Sequence, residues 1–270
     1  ASEIILPILL GIKLLFSRKK YDLAITYSPS IFWVLLLIII GQKKYGKNFL
    51  IVRDLFPLWL SRMNILSQNG VVFLILNRVA KIKFAKADKI FVQSKSDLKT
   101  LKDFYGVDCS KLDVLENWYQ VVESEHKFDE LNDITSLHDI LLLGNFGVAQ
   151  NQKFLRSMVA RSLKNNSNFR FIYVGLKNTD LKFQQKSLNE FEKMGKVIFM
   201  ADLTHEQAVC LARRCKLGIV SLAPSNTPGN IPGKFCAYTM AGLPTFCVAP
   251  ENFEVAKTIS KNALGMLGSC

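Results

Sequence analysis

At 270 residues the chain is longer than one hydrophobic core usually serves, since domains cluster near ~100–150 residues, so two domains of similar size are expected. With 49% hydrophobic and 21% charged residues, 15 Gly and 8 Pro, it falls outside the disordered, collagenous and disulfide-stapled classes. Charge is uneven: residues 1–105 carry 17 Lys and Arg against 6 Asp and Glu, which is +11 of the total +13. A front half this basic asks for an anionic neighbour: nucleic acid, an acidic membrane surface or a phosphorylated substrate.

The opening apolar stretch, Ile4 to Ile12, is interrupted by Pro7 and Gly11 and then by Lys13, and it lacks the basic region and cleavage site of a signal peptide. Strands are expected at Leu23–Tyr27, Phe49–Arg53, Lys89–Gln93 and Leu112–Leu115. After a polar stretch the series resumes at Asp139–Leu143, Phe169–Val174, Val197–Met200, Leu217–Leu222 and Pro244–Val248. Helical patterns fall between them, at about 30–41, 68–86, 94–104, 151–164, 180–193, 204–214, 233–241 and 252–260. The longest apolar run, Ile31–Ile40, has ten residues where a bilayer span needs ~20, so it reads as a core helix. The basic clusters Arg18-Lys19-Lys20 and Lys43-Lys44 with Lys47 suit contact with an anionic leaflet. Residues 123–137, rich in Glu, Asp, Asn and Ser, break the periodicity and read as a linker. Six cysteines, Cys109, Cys210, Cys215, Cys236, Cys247 and Cys270, form no CxxC pair and read as reduced core residues, which favours the cytosol. Strand and helix alternating this often mean parallel sheets covered on both faces.

Two doubly wound sheets place ligands beyond the carboxyl ends of their strands. The segment Gly144-Asn145-Phe146-Gly147 runs from a strand toward a helix, where backbone N–H groups meet a phosphate; plain turn geometry explains it equally well. Gln150, Asn151 and Gln152 then serve as caps or reach a ligand. In the stretch Asn230 to Thr245, Pro232 and Gly233 set a tight entry, Lys234 falls in a first helical turn and Gly242 closes the helix. A lysine there opposes the helix dipole and calls for a compensating anion such as a diphosphate; the blander reading is a solvated side chain. Asp54, at a strand end, is the best carboxylate for orienting an acceptor or taking its proton, or else caps the turn before Pro57. Arg53 beside it suits an acceptor phosphate or a surface pair. His126, His138 and His205 read as surface residues with no metal spacing, and Trp33, Trp59 and Trp118 as core or membrane-facing anchors. Nucleic acid is disfavoured because the lysines are dispersed, with no recognition helix and no aromatic-basic motif.

Four segments together resemble the family 4 retaining glycosyltransferases, in the bacterial exopolysaccharide, O-antigen and colanic-acid branch. Tyr27-Ser28-Pro29 with Val52-Arg53-Asp54-Leu55-Phe56-Pro57 is similar to that branch's Ser-Pro and Arg-Asp-Leu-Trp-Pro elements. Ala87-Asp88-Lys89-Ile90 with Ser94, then Val114-Leu115-Glu116-Asn117-Trp118, is similar to its end-of-domain stretch, with Glu116 where proline is usual. Gly144 to Gln150 resembles its donor-domain glycine loop, and Pro232-Gly233-Lys234 through Gly242-Leu243-Pro244 its Pro-Ser-Lys helix. The resemblance implies the GT-B type of α/β fold, two Rossmann-like domains with parallel sheets and an interdomain cleft. It puts the acceptor-side domain at 1–122, its N-terminal part missing, and the donor-binding domain at 138–270. It implies an enzyme that moves a sugar, with retention, from a nucleotide diphosphate to a lipid-linked or glycan acceptor in surface polysaccharide synthesis, peripheral at the cytoplasmic face of the membrane. Lys234 and Asp54 are its implied catalytic residues; Gly144, Asn145, Gly147, Gln150, Pro232 and Gly233 bind the donor, and Arg53 is acceptor-side. No metal, no cofactor beyond the nucleotide-sugar substrate and no nucleic acid is expected. The two glutamates eight apart that mark many members are replaced by Gly229 and Ala237, and Ala237 offers a ribose no hydrogen bond. The alternative reading is therefore a non-catalytic subunit or degenerate partner of such an enzyme.

Overall fold

A computed structural model describes residues 2–28, 30–119, 121–122, 138–144, 147–165, 168–175 and 188–268. The chain divides into two compact units, Ala1–Glu116 with Thr227–Asn230, and Asn117–Asn226 with Ile231–Cys270. The expected linker at 123–137 lies outside the described residues, as do Pro29, Asn145, Phe146, His126 and Cys270.

The first unit runs α1 (Ser2–Phe16), β1 (Tyr21–Tyr27), α2 (Trp33–Ile40), β2 (Tyr45–Val52), α3 (Leu58–Arg62), α4 (Val71–Ala85), β3 (Lys89–Val92), α5 (Lys95–Tyr105) and β4 (Leu112–Val114). Its sheet has the order β1-β2-β3-β4, every pair parallel. Leu50, Val52, Ile90 and Val92 send their side chains into a core shared with Phe84 and Leu101 from α4 and α5. Ser94 starts α5 by accepting the Asp97 amide on its hydroxyl, the usual way an orphan helical N–H is satisfied. The stretch expected to be interrupted at Pro7 and Gly11 is in fact the helix α1, and those two residues are the ones it buries. A Cβ at Gly11 would stand 3.2 Å from the Ile39 side chain, so the small residue is what lets α1 seat on α2. On β1, Tyr21, Leu23, Ile25 and Tyr27 are exposed. A cavity of about 490 Å³ lies between α1, β1 and α2, walled by Leu10, Leu14, Trp33, Leu36, Leu37 and Ile40 among others.

The second unit contains β5 (Asp139–Leu143), α6 (Gln152–Lys164), β6 (Arg170–Val174), β7 (Val197–Met200), α7 (His205–Arg214), β8 (Leu217–Ser221), α8 (Gly233–Met240), β9 (Thr245–Val248), α9 (Glu254–Lys261) and β10 (Gly265–Gly268). Residues 188–193, within the helix expected at 180–193, are helical, and the remainder of that stretch up to 187 lies outside the described residues. The sheet order is β10-β9-β8-β5-β6-β7, all parallel. Strand β5 is buried along its whole length, as the middle of a two-faced parallel sheet must be. Its residues alternate, Leu141 and Leu143 entering one core and Ile140 and Leu142 the other. Helix α7 opens with a capping box between Thr204 and Gln207. Asp139, fully buried, accepts both arms of the Arg170 guanidinium at 2.7 Å, which ties the starts of β5 and β6 together.

The cysteines follow expectation with one correction: Cys210, Cys215 and Cys247 are buried and Cys236 half-buried, whereas Cys109 is exposed, in the short turn before β4. Among the described residues no helix is long and apolar enough to cross a membrane.

Candidate functional site

In the second unit the chain runs from β5 to β6 on one side of the sheet and reaches β8 on the other, so a ligand crevice is expected at the carboxyl ends of these strands. The residues that follow them meet there. Gly144 follows β5, Gly175 follows β6, Asp202 follows β7, and Lys234 lies in the first turn of α8, the helix after β8. With Tyr119, His205, Gly233 and Ala237 they line a cavity of about 210 Å³.

Lys234 is the centre of this arrangement. Its Nζ donates to Gln150 Oε1 at 2.6 Å, and its Cε would lie 3.4 Å from a Cβ at Gly144. Burial pushes the ammonium down to about 7, the loss of water disfavouring the charged form. The polar run after the glycine loop is thus partly reassigned: Gln150 reaches the lysine, and Asn151, the residue before α6, caps nothing with its side chain. Gly144 contributes space rather than a proton, since its N–H donates to the Val174 carbonyl at 2.9 Å. Pro232 is the extended residue that starts α8, and Gly233 faces the Tyr119 hydroxyl, 2.9 Å from where its Cβ would stand. Gly147 is exposed with open space around it.

Helix α8 is held against the sheet by Tyr238. The β5–β8 pairing covers only Ile140↔Leu217 and Leu141↔Gly218. Beyond it the buried Tyr238 hydroxyl takes over, accepting the Leu143 N–H at 3.0 Å and donating to the Leu141 carbonyl at 3.1 Å. Gly218 makes room for the ring, which would stand 2.6 Å from a Cβ there. Tyr238→Phe should therefore strand the Leu143 N–H and destabilise the second unit by about 1–3 kcal/mol, measured as a lowered denaturant midpoint with unchanged slope.

Arg53 and Asp54 belong to the first unit, at the end of β2. Asp54 is exposed as a residue, yet desolvation of its carboxyl raises the pKa above the usual carboxylate range and outweighs the lowering by Arg53. Its carbonyl accepts from the Ser28 hydroxyl at 3.4 Å, and that hydroxyl accepts from Lys83 Nζ at 3.2 Å. Lys83, 2% exposed in α4, has its ammonium pushed down to about 7 by burial, with the Phe84 ring 5.1 Å from the charge. Position 229, where the resemblance looks for a glutamate, has no room for one: a Cβ at Gly229 would fall 2.2 Å from Asp97 Oδ1, a buried carboxylate that accepts from Ser94 Oγ at 2.9 Å.

Three residues of the cavity carry no signal in the sequence. Tyr119 stacks on His205 with ring centroids 5.3 Å apart, Nε2 of His205 is shielded and has no hydrogen-bond partner among the described residues, and the Asp202 side chain faces Gly175. His205, expected on the surface, is thus a wall of the cavity, because the start of α7 packs beside Tyr119. Of the tryptophans, Trp118 is 58% exposed, while Asn117 beside it donates to the Ile231 carbonyl at 3.2 Å and steadies the approach to α8.

No family model matches the sequence, and no curated protein matches it. Solved structures match it in shape. A structure of HepE from Anabaena in complex with UDP and glucose covers 94% of this chain and 72% of that one at 14% identity, with a TM-score of 0.64. Sucrose-phosphate synthase from Thermosynechococcus elongatus covers 92% and 60% at 12% identity, with a TM-score of 0.68. The pneumococcal O-GlcNAc transferase GtfA in complex with UDP and GlcNAc covers 89% and 45% at 8% identity, with a TM-score of 0.61. These neighbours are GT-B glycosyltransferases, and the two parallel sheets of this chain share their fold.

Proposed function

We propose that this chain is a nucleotide-sugar-dependent glycosyltransferase, with the donor held in the second unit and the sugar passed, with retention, to a lipid-linked or glycan acceptor of surface polysaccharide. The observation that carries the reading is Lys234: an ammonium depressed by burial, at the start of a helix, beside a glycine that keeps the space above it open. The lysine neutralises the charge that develops on a departing diphosphate as the sugar–phosphate bond breaks. Neighbours of the same fold hold UDP or UDP-glucose, which supports a nucleotide-sugar as the ligand class. Asp54, with its raised pKa, and Arg53 are assigned to acceptor positioning. The assay is release of nucleotide diphosphate from UDP-, GDP- and dTDP-sugars, with and without membrane extract as acceptor. Turnover of one donor supports the proposal. Ala237, an apolar residue in the cavity wall, favours a second reading in which a donor is bound but not consumed; saturable binding without release is its signature.

The same reading places the first unit on an anionic membrane face. It carries the basic clusters, the exposed apolar side chains Ile5, Leu6, Leu9 and Phe16 of α1, and an apolar cavity of the size that takes a hydrocarbon chain. The protein should co-sediment with vesicles containing anionic lipid and be released at a few hundred millimolar salt, as exposed charge is screened. Equal binding to neutral vesicles would remove the electrostatic part of the claim. Binding to random duplex DNA at the same salt should be weak by comparison.

A further inference from the structure

The cavity of the first unit is apolar along its walls and basic at one end. Every residue of β1 except Asp22 lines it, together with Leu10 and Leu14 of α1, Leu36 and Leu37 of α2 and Tyr45 at the start of β2 among others. In the sheet β1 is the edge strand, with β2 alone beside it among the described residues. The cavity therefore follows an open edge for the length of the strand, seven residues or about 20 Å. Ile25, in the middle of it, is 62% exposed. A strip of apolar side chains left in water beside a packed core calls for an apolar occupant. The end of the cavity at Tyr21 and Tyr45 adds a second requirement. These two residues are opposite each other in the β1–β2 register, as are Leu23 and Lys47. Arg18, Lys19 and Lys20 come just before Tyr21, and Lys43 and Lys44 just before Tyr45. The two turns are tied together, the Lys44 ammonium donating to the Ser17 carbonyl. Six basic residues thus share this end, and from residue 17 to residue 47 Asp22 is the sole carboxylate. A further strand would fill the open edge but gives no reason for six cations at its start, whereas an amphiphile meets both features: a hydrocarbon chain for the walls and an anionic head for the cations.

We propose that this cavity binds one hydrocarbon chain of an anionic membrane lipid, whose phosphate is held by the basic residues that precede β1 and β2. The proposal rests on the membrane placement of the first unit given above and adds to it a site for a single lipid. The geometry separates that lipid from the reaction. Arg53 and Asp54 follow the far end of β2, which is eight residues long, so roughly 23 Å of strand lies between them and the basic end. A head group held before Tyr21 and Tyr45 is too far from Asp54 to be the acceptor. The lipid anchors the first unit and is not consumed.

The test is titration of the full chain with single-chain amphiphiles kept below their critical micelle concentrations, read by calorimetry and by tryptophan emission. Trp33 lines the cavity, so its emission should report entry of the chain, and Trp33→Phe should remove that signal without removing the heat. Dodecyl phosphate should saturate one site, and octyl phosphate should bind on the order of 10²-fold more weakly, since each methylene withdrawn from water is worth up to about fourfold. Dodecyl maltoside, with the same chain and an uncharged head, should bind about tenfold more weakly than dodecyl phosphate at low salt. Ala24→Phe fills the cavity from β1 and should abolish the difference between the two phosphates; Ile25→Ser, at an exposed position, should narrow it. Lys19→Gln combined with Lys43→Gln should weaken dodecyl phosphate severalfold and leave dodecyl maltoside unchanged. Affinity that ignores chain length, or that is unchanged in both Ala24→Phe and Ile25→Ser, overturns the proposal. Equal binding of dodecyl phosphate and dodecyl maltoside overturns the assignment of the basic end. No saturable binding of any amphiphile overturns the site and leaves the edge of β1 to a further polypeptide strand. Anionic-vesicle binding by a protein that takes up no monomeric amphiphile leaves the membrane placement standing and overturns only this site, whereas a protein that ignores anionic vesicles overturns both.

Discussion

Lys234→Ala is expected to lower kcat by on the order of 10²–10³-fold and to raise KM by a smaller factor, because the lysine meets more charge in the transition state than in the bound donor. Folding should survive, since the change removes an ammonium that burial disfavours and trims its bond to Gln150. A pH signature separates this role from a steric one. In the empty cavity the ammonium titrates near 7, and a bound diphosphate raises that value, so binding takes up a proton. Affinity should fall as pH rises above about 7, by up to tenfold per pH unit for one linked proton. The slope should vanish in Lys234→Met, measured beside the unmodified protein so that the nucleotide's own ionisation cancels. Full turnover in Lys234→Ala would overturn the assignment.

The second large effect concerns Lys83, which has no role in the donor cavity. Its ammonium is depressed to about 7 when folded, against about 10.5 in the unfolded chain. Between those values the unfolded chain holds a proton that the folded one has released, so stability should rise with pH across that window. Below about 7 both states are protonated and the full cost of the buried charge remains. Lys83→Met should stabilise the first unit at pH 6 by on the order of 1–4 kcal/mol and flatten its pH dependence, as apolar replacements of buried charges do. Denaturant unfolding at pH 6 and pH 9 reads both effects. Loss of stability on substitution would instead mean that the link from Lys83 through Ser28 to the Asp54 carbonyl is worth more than the desolvation it costs.

Much of the frame was legible because parallel strands bury both faces and so read as short apolar runs; Asp139–Leu143 and Val197–Met200 fall where the runs put them. Local rules failed where tertiary contact overrode them. Pro7 and Gly11 read as breakers, yet both are buried in the helix, and the missing side chain of Gly11 is what lets it seat on Ile39 of α2. Strand β10, Gly265-Met266-Leu267-Gly268, has no β-branched residue to announce it and owes its place to pairing with β9. In the cavity, Lys234 and Gly144 were legible because a helix start and a strand end mark themselves locally. Tyr119, Asp202 and His205 were not: each is an ordinary polar or aromatic residue in an ordinary turn, and they meet Lys234 only once the sheet is assembled. Lys83 was equally silent, since a lysine in an amphipathic helix reads as solvated.

The two glycines that end β5 and β6 carry a further consequence for how this protein tolerates change. Gly144 and Gly175 have φ of +100° and +93°, and a Cβ on the second would press against the backbone of the first. Every single-nucleotide change at a glycine codon that alters the residue adds a Cβ. A saturation scan scored on donor binding should therefore show both positions as intolerant as Lys234, although neither glycine has a side chain with which to take part in chemistry. Such a scan would outline the cavity by the residues that must stay out of it.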